Sequence, residues 1–251
     1  SEQADRVARL AADTRLAEAL RLEAIEELQL WDSPPVLDRV TNRHRPLTER
    51  PAADAAAAVA AHFAGMLEGP DAVREQAAAL LATHEVAAAV PALLTVIDNA
   101  EQPAAVRAAA VTAVGRLRLA AVSQRMRTLL RDPASAVRSA ARALLGRIDP
   151  ALAVVELEAV LNDGDVVEQQ AAIESLVALK TAAADAVLQA ALLGQADGTG
   201  PLAIRLDLLQ AAAARKTPAL LEAVAGLEVA RDPSDLLAAW RECLAGGDVA
   251  A

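Results

Sequence analysis

Nucleophilic and metal chemistry falls first to histidine and cysteine, and this chain offers His44, His62, His84 and Cys243 alone. No two histidines stand at the i, i+4 spacing that lets one helix face clamp a metal, and His62 and His84 are 22 residues apart. Cys243 would need a histidine base to act as a nucleophile, yet no histidine lies in the last 160 residues. A buried structural thiol is the expectation, and a single cysteine excludes an internal disulfide and any cysteine-rich metal site. Carboxylate pairs such as Glu26-Glu27 and Asp163 with Asp165 fall on polar helix faces or in turns. General acid work needs a desolvated carboxyl, so these read as solvated charge. Gly198-Thr199-Gly200 and Gly246-Gly247 lack the spacing and the lysine of a phosphate cradle. The expectation is a non-catalytic chain with no cofactor-binding and no metal-binding residue of its own.

Composition then says what kind of frame these residues sit in. Alanine supplies 66 of the 251 residues, and only Trp31, Phe63 and Trp240 are aromatic. Sheets want β-branched and aromatic residues on pleated surfaces, whereas alanine is the best helix former; the fold class is all-α. Lys plus Arg number 24 against 34 Asp plus Glu, a net charge of −10, and no basic stripe of the kind nucleic-acid binders carry is visible. The longest run free of Asp, Glu, Lys, Arg and His, Val86 to Ile97, has twelve residues, short of the ~18 that a membrane span needs. No nucleic-acid partner and no membrane insertion are expected. The chain begins at Ser1 without Met and without a secretory signal, which fits an expressed piece as well as a processed product, and the ends do not give the compartment.

A phrase recurs along the sequence. It reads Asp71-Ala-Val-Arg74-Glu-Gln-Ala-Ala, Pro103-Ala-Ala-Val-Arg107-Ala-Ala-Ala, then Asp132-Pro-Ala-Ser-Ala-Val-Arg138-Ser-Ala-Ala. It continues as Asp163-Gly-Asp-Val-Val-Glu168-Gln-Gln-Ala-Ala, with a worn copy at Gly200-Pro-Leu-Ala-Ile-Arg205-Leu. An earlier copy sits at Leu20-Arg21-Leu-Glu-Ala-Ile25. Anchored on positions 74, 107, 138, 168 and 205, the intervals are 33, 31, 30 and 37. Each period holds two amphipathic helical patterns joined by Asp, Pro or Gly. Asp can accept the free N–H groups of a first turn, and Pro fits that turn because its missing N–H costs nothing there. Helix pairs are expected at 3–13 with 16–31, 52–68 with 70–83, 86–99 with 103–117, 119–131 with 134–147, 150–162 with 165–179, 182–194 with 201–215, and 217–230 with 233–245.

Helix pairs repeated every ~30 to 40 residues make an α-solenoid. The phrase Asp-Pro-x-x-x-Val-Arg-x-x-Ala-x-x-Ala-Leu resembles the second helix of a HEAT repeat. The expected architecture is one right-handed α-solenoid of about six to seven HEAT-like helix pairs over residues 1–251, with a non-helical insertion at about 32–51. The recurring Arg74, Arg107, Arg138 and Arg205 are assigned as structural repeat positions, each stem lying along the seam and each head pairing with an acid or a carbonyl of the adjacent turn. Glu168 is placed in the same slot, where it would interrupt the ladder.

The insertion breaks the pattern. Residues 31–51 contain four prolines, which preclude a regular helix, together with Trp31, His44 and the arginines 39, 43, 45 and 50. Two readings stand: a structural flap with Trp31, Val36, Val40 and Leu47 packed on the first repeats, or a partner contact through Trp31, Asp38, Arg39, Arg43 and Arg45.

The run Arg21-Leu-Glu-Ala-Ile-Glu-Glu-Leu-Gln-Leu-Trp31, with Pro34-Pro35, Asp38-Arg39-Val-Thr41 and Arg45-Pro46-Leu47, resembles one family. So does the tail Leu236-Leu-Ala-Ala-Trp240-Arg-Glu-Cys-Leu-Ala-Gly246-Gly247-Asp248. Both are similar to the HEAT-repeat region of the large multidomain c-type cytochromes of planctomycetes. The resemblance implies a preceding β-propeller, similar to sugar dehydrogenases that use pyrroloquinoline quinone, and a following cytochrome c domain with a Cys-x-x-Cys-His haem motif. This chain contains no such motif and ends about where that domain would begin. Haem c and pyrroloquinoline quinone would therefore belong to neighbouring domains, the partners would be protein domains in cis, and the exported parent would be periplasmic. The rival is a stand-alone cytoplasmic HEAT adaptor that binds a protein or peptide on its concave face. An enzyme acting on a tetrapyrrole or a DNA base would want a histidine or cysteine cluster, or a basic groove, and the sequence has neither.

Overall fold

The computed structural model describes residues 1–37, 41–44 and 46–229. Its helices are α1 (Glu2–Ala12), α2 (Glu18–Gln29), α3 (Ala52–Met66), α4 (Asp71–Thr83), α5 (Val90–Asp98), α6 (Ala104–Leu117) and α7 (Leu119–Ser123). They continue as α8 (Met126–Leu129), α9 (Ser135–Ile148), α10 (Pro150–Asp163), α11 (Val166–Leu179), α12 (Ala182–Ala196), α13 (Arg205–Arg215) and α14 (Pro218–Val229). Short 3-10 turns at Ala87–Ala89 and Leu202–Ile204 lead into α5 and α13. No strand occurs among the described residues; one isolated antiparallel bridge joins Leu37 and His44. The fold is an all-α HEAT-type solenoid built of helix pairs. The second member of the seventh pair, expected at 233–245 with Trp240 and Cys243, lies outside the described residues.

Chain contacts divide the described residues into two compact units, the first ending at Leu144 and the second beginning at Leu145. In the first, α1 packs on its pair-mate α2 and on α3, while α2, α4 and α6 follow one another in a second layer. In the second unit, α10, α12 and α14 form one layer and α11 and α13 the other.

Alanine explains how the layers close. Ala4, Ala8 and Ala11 of α1 are fully buried, as is Ala55 of α3, with Ala58 nearly so. Their spacing puts each set on one helix face, and side chains of one carbon let the backbones approach. Larger groups then fill the seams: Leu80, Leu81, Leu93 and Ile97 in the first unit, Leu157, Ile173, Leu176, Leu188 and Leu208 in the second. Gly115 shows how tight the fit is, because a Cβ there would stand 2.4 Å from a Leu144 methyl.

Polar residues fix the helix ends. The side chains of Asp149, Asp165 and Thr181 accept N–H groups of Leu152, Glu168 and Ala184 in the first turns of α10, α11 and α12. Lys180 and Lys216 take left-handed conformations after α11 and α13.

The expected single helix over 119–131 is instead two short ones. Ser123 Oγ donates to the Leu119 carbonyl at 3.0 Å, a back-bond that bends helices. The Arg125 N–H then bonds three residues back to Val122, and the Arg125 guanidinium grips both carboxylate oxygens of Asp98. The helix breaks where that arginine turns toward α5.

A buried ion pair lies between pairs. Arg107 donates from both terminal nitrogens to Asp132, at 3.1 and 2.6 Å, and both side chains are buried. Burial pushes the Asp132 carboxyl up, but the Arg107 bonds, the Ala134 N–H and the charges of Arg107 and Arg138 together hold it below its ordinary value. A carboxyl lowered on folding stabilises the fold fully above its unfolded value, near pH 4, and that contribution is lost as pH falls through the folded value. Asp132→Asn should therefore cost about 3 kcal/mol, because it strands a buried cation, and should flatten the decline of the urea midpoint between pH 5 and pH 3. Replacing both residues, as Arg107→Met with Asp132→Leu, should cost less than the single change. A second check is Gly69, at φ +94°, where a Cβ would fall 2.5 Å from a terminal nitrogen of Arg21. Gly69→Ala should lower the melting temperature of the first unit, whereas Gly198→Ala, also at positive φ but in open space, should be milder.

Candidate interaction site

Arg21, Arg74, Arg107 and Arg138 share one structural position, the fourth residue of the second helix in their pairs, whereas Arg205 opens α13. From α6, Arg107 Nε donates to the Ile97 carbonyl in the last turn of α5 at 3.1 Å. From α2, the fully buried Arg21 does the same to Ala11 of α1 at 2.9 Å. The last carbonyls of a helix have no partner within it and carry the negative end of its dipole, so a cation at this height closes its own pair.

The remaining nitrogens reach the next pair. Arg21 donates to the Gly65 and Glu68 carbonyls at 2.8 and 3.0 Å, Arg74 to the Gln102 side chain, and Arg107 to Asp132. Arg138 turns instead to the Asp132 and Pro133 carbonyls of the loop before its own helix. Arg205 makes no such bond to a described residue.

The structure corrects the slot in the fifth copy. Glu168 stands third in α11; the fourth residue is Gln169, whose Nε2 donates to the Leu161 carbonyl of α10 at 2.9 Å. The ladder is not interrupted there but carried by a neutral amide. Aligning Val167-Glu168 on the Val-Arg step of the phrase sets the register one residue early, because Val167 is exposed where Val73, Val106 and Val137 are buried.

At the insertion, Trp31 is buried just beyond α2, and the chain returns at Arg50. The Arg50 guanidinium lies 3.9 Å from the Trp31 ring centroid, and its Nε donates to the Trp31 carbonyl at 2.8 Å. Glu27 completes the clamp with an oxygen 4.0 Å from Arg50. A cation over an indole face adds attraction beyond area burial.

Within the clamp the expected packing fails. Val36 and Leu47 are 57% and 53% exposed, and Leu37 is 45% exposed. Pro34, Pro35 and Pro46 fix the local backbone and remove three donors; an isolated bridge joins Leu37 and His44, and Val36, Leu37 and Leu47 are not folded down. Arg43 and His44 are exposed beside it; Asp38, Arg39, Val40 and Arg45 lie outside the described residues. The segment thus presents apolar and cationic groups from a base closed by Arg50, the one insertion arginine that the sequence left without a role.

The histidines are engaged elsewhere. His62 Nε2 meets Asp5 at 2.8 Å, and this bond, with Arg9 nearby, holds the Asp5 carboxyl below its ordinary value against a smaller cost of burial. His84 Nε2 donates to the Leu28 carbonyl at 3.0 Å. No group of three His, Cys, Asp or Glu residues that could hold a metal ion occurs among the described residues, and no described helix is long and apolar enough to cross a membrane. In the second unit, the second-helix face carries a groove of about 260 Å³ between α11 and α13. Its floor is Ile173, Val177 and Ala211, and Glu174 and Asp207 stand at its edge.

No curated protein matches the sequence significantly. Among solved structures, human deoxyhypusine hydroxylase in complex with glycerol is similar over 91% of this chain and 94% of its own, at 18% identity and a TM-score of 0.42. The family of HEAT repeats matches residues 59–146. That stretch, which contains α4 to α8, is a HEAT-repeat region.

Proposed function

We propose that this chain is a non-catalytic HEAT-repeat scaffold that spaces and orients a β-propeller and a cytochrome c domain within one exported, multidomain redox protein. The observation that carries the reading is the clamped insertion. Its ends are tied by Arg50 over Trp31, while Val36, Leu37, Leu47 and Arg43 face solvent. A loop whose base is fixed gives up less entropy on docking than a free one. The seam arginines support the same role, since Arg21, Arg74 and Arg107 each tie one helix pair to the next, and a coupled solenoid holds its neighbours at a set distance as a flexible linker does not. Haem c and pyrroloquinoline quinone would reside in the flanking domains, by resemblance.

A second reading, the stand-alone cytoplasmic adaptor, draws on the groove between α11 and α13. Its apolar floor and two carboxylates suit a peptide with a basic residue among apolar ones.

Sequencing the parent gene beyond Ala251 separates the two. A Cys-x-x-Cys-His motif soon after it is the expected result, and a stop codon there would overturn the cytochrome reading. The docking role has its own check. Changing Arg39, Arg43 and Arg45 together to Glu should leave helicity and melting temperature within error while weakening association with the flanking domains about tenfold or more in calorimetric titration. Unchanged affinity would remove the insertion from the interface.

A further inference from the structure

A cavity in the second unit has a chemistry that neither scaffolding nor the seam uses. It encloses about 290 Å³ between the last turns of α10 and α12 and the loop that follows α12, at the lower end of the size of small-molecule sites. Its shape comes from a tight backbone fold. The N–H groups of Thr199 and Gly200 both donate to the Gly194 carbonyl, at 2.9 and 2.8 Å, which pulls the loop back over the end of α12. Gly200 must be glycine for this, because a Cβ would meet Gln195 Nε2 at 2.5 Å.

The wall is rich in acceptors and poor in donors. Gln195 is 94% buried; its Nε2 donates to the Pro201 carbonyl at 2.9 Å, and its Oε1 has no partner. The Thr199 hydroxyl spends its proton on the Gly194 carbonyl at 3.2 Å, which leaves its lone pairs. Glu158 and Asn162, four residues apart on one face of α10, contribute a carboxylate and an amide, and no Lys, Arg or His lines the cavity. Two helix C-termini converge here, α10 closing at Asp163 and α12 at Ala196, and each brings the negative end of its dipole. Val187 and Ala190 supply an apolar side.

We infer that this cavity binds a small organic ammonium ion, its N–H groups facing Glu158, the Asn162 amide oxygen and the Thr199 hydroxyl and its carbon chain lying on Val187 and Ala190. A carboxylate or phosphate would meet the wrong end of both dipoles and no donor side chain but an amide.

The test is a titration of the full chain with n-butylammonium, followed by amide chemical shifts, with n-butanol and butyrate as controls. The expected result is saturable shifts confined to Ala190, Ala191, Gly194, Gln195 and Thr199. They should weaken about fivefold or more in Glu158→Gln, an exposed position where the fold is not at stake, and disappear in Ala190→Leu, which fills the cavity from its exposed rim. Shifts that do not saturate, that Glu158→Gln leaves unchanged, or that n-butanol reproduces at equal concentration would overturn the inference.

Discussion

Each helix pair in this protein must solve the same problem: the first helix ends inside the structure with carbonyls that nothing in the helix can satisfy. In three pairs, α1–α2, α5–α6 and α10–α11, the solution is a donor at the fourth position of the second helix. Arg21 and Arg107 reach the last turn of the preceding helix through Nε, and Gln169 does so through its amide. Where the donor is arginine, the guanidinium has nitrogens left over, and these cross to the next pair. One side chain thus closes its own repeat and couples it to its neighbour, which is what turns a row of marginal hairpins into a cooperative solenoid. Buried cations are costly unless paired, and the structure pairs them through Asp132 at one rung and through main-chain carbonyls at another.

Alanine is the other half of that arrangement. A long arginine reaches two turns of the neighbouring helix only if the backbones lie close, and the buried alanines of α1 and α3 provide that proximity. The aromatic residues are consequently few, and Trp31 is spent where the repeat stops, as the surface against which Arg50 closes the insertion.

The helix pairs were legible because period, punctuation and alanine content point the same way, and boundaries fell within a few residues of those observed. What failed did so for local reasons. The 119–131 pattern is apolar and helical in sequence, but the Ser123 back-bond and the Arg125–Asp98 pair are interactions that no periodicity encodes. Glu168 falls in the arginine slot by the spacing of the phrase alone, while the acceptor that defines the slot, the Leu161 carbonyl, lies eight residues from Gln169. Trp31 was visible as an oddity; that Arg50 rather than Arg43 would stack on it depends on where the chain returns after three prolines. The ammonium cavity left no trace in the sequence at all, since Glu158, Gln195 and Thr199 meet only after two helix ends converge.

Seam side chains such as Arg107 couple neighbouring helix pairs and so stiffen the row. Native-state hydrogen exchange on Arg107→Met tests this coupling most directly. Coupling predicts that protection falls together in α5, α6 and α9, the helices joined through Ile97 and Asp132, while α11 and α13 keep theirs. A loss confined to α6, or an equal loss in every helix, would contradict it.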